Sequence, residues 1–142
     1  MNNIELFNLS VAETLAACYE EFPQKINFSS IDITDKVLGY YPEKNEGEYA
    51  EIIFPVATGT IQWLGQAGYL WIANQEQHEF LGVTLSPKGL ELLNLIPDSI
   101  SKKESIGSLL TGGLKSVGKE SALALIKTVL SEGVKLSLKG GS

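Results

Sequence analysis

Gln62-Trp63-Leu64-Gly65-Gln66-Ala67-Gly68-Tyr69-Leu70 is the stretch where the hydrophobic period changes, and the fold turns on it. Upstream, Tyr49, Ile52, Ile53, Val56, Ile61, Leu64 and Ala67 keep the spacing of a helix face. Gly68 stands where a helix C-terminus favours positive φ. Beyond it, Tyr69-Leu70-Trp71-Ile72-Ala73 is aromatic and β-branched, as strands prefer. A helix ends here and a strand begins.

Working outward, Asn74 to Glu79 reads as a polar turn and Phe80–Leu85 as a second strand, which together predict a hairpin. Ser86-Pro87 is an N-cap followed by proline at the first helical position, opening a helix that carries Leu90, Leu92, Leu93, Leu95 and Ile96 until Pro97. On the other side, Pro55 predicts a kink or a new start within the longer helix. Ile31, Ile33, Val37 and Leu38 predict a short helix or turn ended by Gly39, with a polar loop from Tyr40 to Glu48. Ser10-Val11-Ala12-Glu13 has the spacing of a capping box, and apolar residues then recur helically until Pro23. That predicts a first helix over residues 10–22.

The chain has 142 residues, enough for one core but not for two. Its formal charge is −6, every basic residue is lysine, and the signs are unevenly placed. Residues 1–100 hold 4 Lys against 14 Asp or Glu, while residues 101–142 hold 7 Lys against 3 Glu. An acidic body is followed by a basic tail. One cysteine, Cys18, and one histidine, His78, argue against a disulfide, structural zinc, haem or an iron–sulfur cluster, so no cofactor or metal is expected. Cys18 has no histidine near it in sequence and reads as a small helix residue rather than a nucleophile. Ile52 to Gln75 carries no charge and is long enough to span a bilayer, but Pro55, Gly59, Gln62, Gly65, Gln66 and Gly68 interrupt it. A buried helix followed by a buried strand accounts for it better. The start of the sequence lacks the basic and apolar regions of a secretory signal, which makes a reducing cytoplasmic location the expectation.

Helix, short helix, helix, hairpin, helix is an order that resembles a winged helix-turn-helix domain. Residues 62–70 resemble the end of a recognition helix entering the first wing strand. Val83-Thr84-Leu85-Ser86-Pro87-Lys88-Gly89-Leu90-Glu91-Leu92-Leu93 is similar to the second wing strand entering the next helix. Both stretches are similar to a pattern common in bacterial winged-helix proteins. The resemblance covers residues 5–97 and implies a mainly α fold with a small β-hairpin. Residues 98–139 remain as a helical, lysine-containing extension, and residues 139–142 are expected to fray.

The resemblance points toward DNA, but the residues point away from it. Phosphate contact needs Lys or Arg on the third helix, and residues 56–68 carry no charge. The hairpin turn offers Glu76, His78 and Glu79, and an acidic body repels DNA at long range. A DNA-binding transcriptional regulator is therefore the second reading. The first is a non-enzymatic protein-interaction or regulatory module, with Thr58, Gln62, Trp63, Gln66 and His78 as candidate partner-binding residues. Core burial is the commoner fate of tryptophan, so this argument rests on the missing charges more than on Trp63 and Trp71.

In the tail, Leu123, Ile126 and Leu130 of a helix over residues 119–132 are expected to be buried, against the body or across a homodimer interface, and dimerisation through this segment is the preferred reading. Spaced lysines and leucines also suggest peripheral membrane association, a third reading placed below the others because stable anchoring usually needs a second signal. No nucleophile, metal or phosphate loop accompanies Glu20, Glu21 or Glu79, so no enzymatic activity is expected.

Overall fold

The computed structural model describes residues 2–43, 46–97, 104–112 and 114–139. The expected boundary at residue 98 lies outside them, as do residues 140–142, whereas Lys139 is still helical. Among the described residues the chain is mainly helical, with one small three-stranded antiparallel sheet.

α1 (Asn3–Glu21) begins earlier than the capping-box spacing suggests. Asn2 is the actual N-cap, its Oδ1 accepting from the Glu5 amide at 2.8 Å. Ser10 is interior, and its hydroxyl donates back to the Leu6 carbonyl at 2.8 Å. The helix is buried along most of its length because other elements pack around it. Leu6, Leu9, Val11, Ala12, Leu15 and Cys18 all enter the core.

β1 (Ile26–Ser29) and α2 (Ser30–Leu38) follow. Ser29 ends the strand and caps the helix in a true capping box with Asp32. α3 (Glu46–Gln66) continues as one helix through Pro55, so no new helix starts there. Pro55 is exposed, so the Glu51 carbonyl that loses its intrahelical donor there faces water. Gly68 takes the positive φ that its position after the helix requires, at 86°.

β2 (Leu70–Glu76) and β3 (Glu79–Leu85) form the hairpin, with Leu70 opposite Leu85 and Glu76 opposite Glu79. β1 adds to the far side of β3, so the order is β1-β3-β2. α4 (Pro87–Leu93) starts on the Ser86 cap, whose Oγ accepts from the Gly89 amide at 3.1 Å. α5 (Ile106–Thr111) and α6 (Leu114–Lys139) complete the chain, α6 being broken at Gly118 by a φ of 83°.

The tail docks on the body. Ala122, Leu125, Ile126 and Val129 of α6 are buried in the same core as α1, while Leu123 and Leu130 are only partly covered. The inward face of α6 is thus rotated from the expected Leu123–Ile126–Leu130 stripe. Ile126 is 0% exposed within one chain, which leaves it nothing to offer a second copy. Charge follows the same direction, with Lys119 Nζ 3.6 Å from Glu5 and 5.1 Å from the Tyr41 ring centre. Among the described residues, no helix is long and apolar enough to cross a membrane.

Candidate interaction surface

The outer face of α3 presents Ile52, Pro55, Gly59, Gln62, Trp63 and Gln66, all exposed and all uncharged. Helical spacing puts these residues on one side, while Ile53, Ala57, Ile61 and Leu64 fill the core on the other. Gln62, Trp63 and Gln66 come together at the C-terminal end of this face, beside the hairpin.

Neither tryptophan is a core residue. Trp63 is 40% exposed and Trp71 59%. The Trp63 ring stacks on Tyr69 at 5.7 Å and meets the edge of Phe7 at 5.3 Å, so it is held rigidly at the surface. Lys88 closes this cluster: its Nζ sits 4.5 Å from the Tyr69 ring centre and donates to the Ala67 carbonyl at 3.1 Å and to Ser137 Oγ at 2.9 Å. The lysine at this end of α3 is therefore occupied within the chain. Burial raises the Tyr69 hydroxyl above its ordinary pKa, keeping the ring neutral beneath that lysine.

Beside Trp63, a polar groove of about 580 Å³ separates α3 from β2. Gln62, Gly65 and Gln66 form one wall, and Ile72, Ala73, Asn74 and Gln75 the other. Gln62 Nε2 donates to Gln75 Oε1 across it at 3.2 Å, and Gln75 Nε2 donates to the Gln77 carbonyl at 2.7 Å. Four carboxamides at its rim provide both donors and acceptors without net charge.

Thr58 and His78 are placed elsewhere. Thr58 Oγ1 lies 2.7 Å from Ser30 Oγ and 3.0 Å from the Phe54 carbonyl oxygen, so it ties α3 to α2. The His78 carbonyl accepts from the Ser30 amide at 2.9 Å, and its ring meets the edge of Phe54 at 5.8 Å. It fastens the hairpin tip to the start of α2. Sequence reasoning missed Ile72, Asn74 and Gln75 as groove residues, although the absence of charge through residue 75 was a visible signal.

A second concavity of about 480 Å³ lies between α1, the end of α2 and the tail, with Glu13, Glu20, Lys36, Tyr40 and Lys119 among its walls. Tyr40 donates to Glu13 Oε2 at 2.7 Å, and burial together with that carboxylate pushes its phenol upward. Nearby, burial pushes the Cys18 thiol up to about 12, the opposite of an activated nucleophile. Among the described residues, no group of three or more His, Cys, Asp and Glu is placed to hold a metal. Set against protein-family models, curated proteins and solved structures, the chain matches none.

Proposed function

We propose that this chain is a winged-helix protein that works as a protein-interaction or regulatory module and carries out no reaction of its own. The element order supports the winged-helix reading: α1, β1, α2 and α3 lead into a hairpin whose second strand pairs with β1. The observation that carries the interaction reading is the outer face of α3, uncharged from Ile52 to Gln66 with Trp63 anchored at its end. Depletion of charge and enrichment of aromatic rings mark the centres of protein interfaces. DNA binding has less support, because that face offers no cation for phosphate and Lys88 is already engaged. Membrane association has less again, because α6 turns Leu125, Ile126 and Val129 into the core.

A photo-crosslinking residue at Gln62, introduced in the native host, tests this reading. The expected result is a discrete protein adduct that disappears when Trp63→Ser is added. Adducts removed by nuclease treatment would overturn the assignment in favour of a DNA-binding regulator.

A further inference from the structure

The two outer strands of the sheet are protected very differently. β1 is four residues long, its register against β3 is broken between Ile26 and Phe28, and Lys25 precedes it. The Asn27 side chain also accepts from the Gly82 amide at 2.9 Å. Short length, irregular pairing and lysine are the usual means of keeping an edge strand from joining another sheet. β2 has none of them. It is seven residues long, its only neighbour among the described residues is β3, and Leu70 to Gln75 contains no charge and no proline. Alternate residues of such a strand turn their N–H and C=O groups to the open side.

The groove between α3 and β2 runs along that edge, and the Gln62 side chain of α3 reaches across it to Gln75. Ile72 and Asn74 point to one face of the strand and Ala73 and Gln75 to the other, yet all four line the groove. Residues of both parities share one concavity only where it follows the strand edge.

We propose that this edge is a self-association surface, on which β2 pairs antiparallel with β2 of a second copy and joins the two sheets into one of six strands. The sequence of the strand fits itself. A two-fold pairing centred on Ala73 places the smallest side chain at the axis and Trp71 opposite the partner's Gln75. It sets Glu76 opposite the partner's Leu70, so the carboxylates at the two strand tips stay apart. A pairing centred on Glu76 would put them face to face. Each copy carries a formal −6, so a seam whose charges are confined to one Glu76 at each end keeps repulsion between two copies low. The pairing is isologous and closes at a dimer. Trp71, exposed on its own chain, lies diagonal to the partner's Ala73 and within reach of it. This proposal does not depend on the winged-helix reading, but Gln62 and Gln66 wall the same groove, so the second copy would lie beside the C-terminal end of the α3 face.

The test uses the full chain in light scattering and sedimentation, together with single substitutions on the exposed strand. The wild type is expected to be dimeric at about 100 µM. Ala73→Lys, and independently Gln75→Lys, should raise the dimer dissociation constant at least about tenfold with an unchanged circular dichroism spectrum. Ala73→Cys should be joined to its copy by a short bifunctional thiol reagent, because Cβ atoms opposite each other in an antiparallel pair are about 4.5–5.5 Å apart, beyond an unstrained disulfide but within the span of such a linker. Cys18 is buried and does not compete. A wild type that is monomeric at that concentration overturns the proposal. So does a dimer that keeps its affinity in both lysine variants, or one that Ala73→Cys fails to crosslink. A monomer that instead takes up an extended peptide along β2 also overturns it.

Discussion

Replacing Ile126 by alanine tests whether the tail belongs to the same core as the body. Ile126 is 0% exposed and sits between Ala122, Leu125 and Val129 on the face of α6 that packs on α1. Truncating a buried isoleucine to alanine costs about 2–5 kcal/mol, from lost transfer energy and the cavity left behind. With rigid helices on both sides the site closes poorly, and about 3 kcal/mol is expected. Unfolding entropy of about 2.1 cal/mol/K per residue gives about 0.3 kcal/mol/K for a chain of 142 residues, so Tm should fall by about 10 °C. The assay is thermal and urea denaturation followed by circular dichroism, at one fixed protein concentration. Leu138→Ala on the same helix is the control; Leu138 is 78% exposed, and its loss should change stability by less than about 0.5 kcal/mol. If the two substitutions cost the same, α6 is not docked and the reasoning fails.

Three further outcomes are expected. Tyr41 donates to Glu5, with Lys119 3.6 Å away, and the two hold the Glu5 carboxyl below its ordinary value of 4.5. A lowered folded pKa means that its contribution is complete above the unfolded value and is lost as pH falls through the folded one. The gap in urea midpoint between wild type and Glu5→Gln should therefore shrink as pH drops below 4.5, and a gap that stays constant from neutral to acid would refute this. Cys18 is 1% exposed with its thiol pushed up to about 12, so a thiol reagent should label it only in denaturant. Ready labelling of the folded protein would show that α1 opens locally. Ser86 Oγ accepts from the Gly89 amide and donates to the Gly68 carbonyl at 2.5 Å, so Ser86→Ala should cost about 1–2 kcal/mol. An unchanged urea midpoint would show that neither bond matters.

Local chemistry makes several elements legible in the sequence. Ser86-Pro87 opens α4 because a hydroxyl beside a residue without an N–H suits a helix start wherever it occurs. Gly68 adopts positive φ because only glycine does so without strain. The hairpin follows from aromatic and β-branched runs on either side of a polar turn. Each of these depends on a few neighbouring residues.

What remained hidden depends on residues distant in sequence. Ile26-Asn27-Phe28-Ser29 is too short to announce a strand, and it exists because β3 supplies a pairing edge fifty or more positions later. Ser10 and Glu13 have capping-box spacing, yet the helix runs past them because Asn2 caps it upstream. Helical spacing marked α6 as amphipathic, but α1 selects the Ala122, Leu125, Ile126 and Val129 face over the Leu123 and Leu130 flank. Alternation likewise put Leu70 and Trp71 on opposite faces of β2 without saying which face would be covered. Sequence alone determined the period of each segment and the absence of charge from Ile52 to Gln75. Only the tertiary structure decided which face of each segment meets water, because burial depends on what the rest of the chain brings against it.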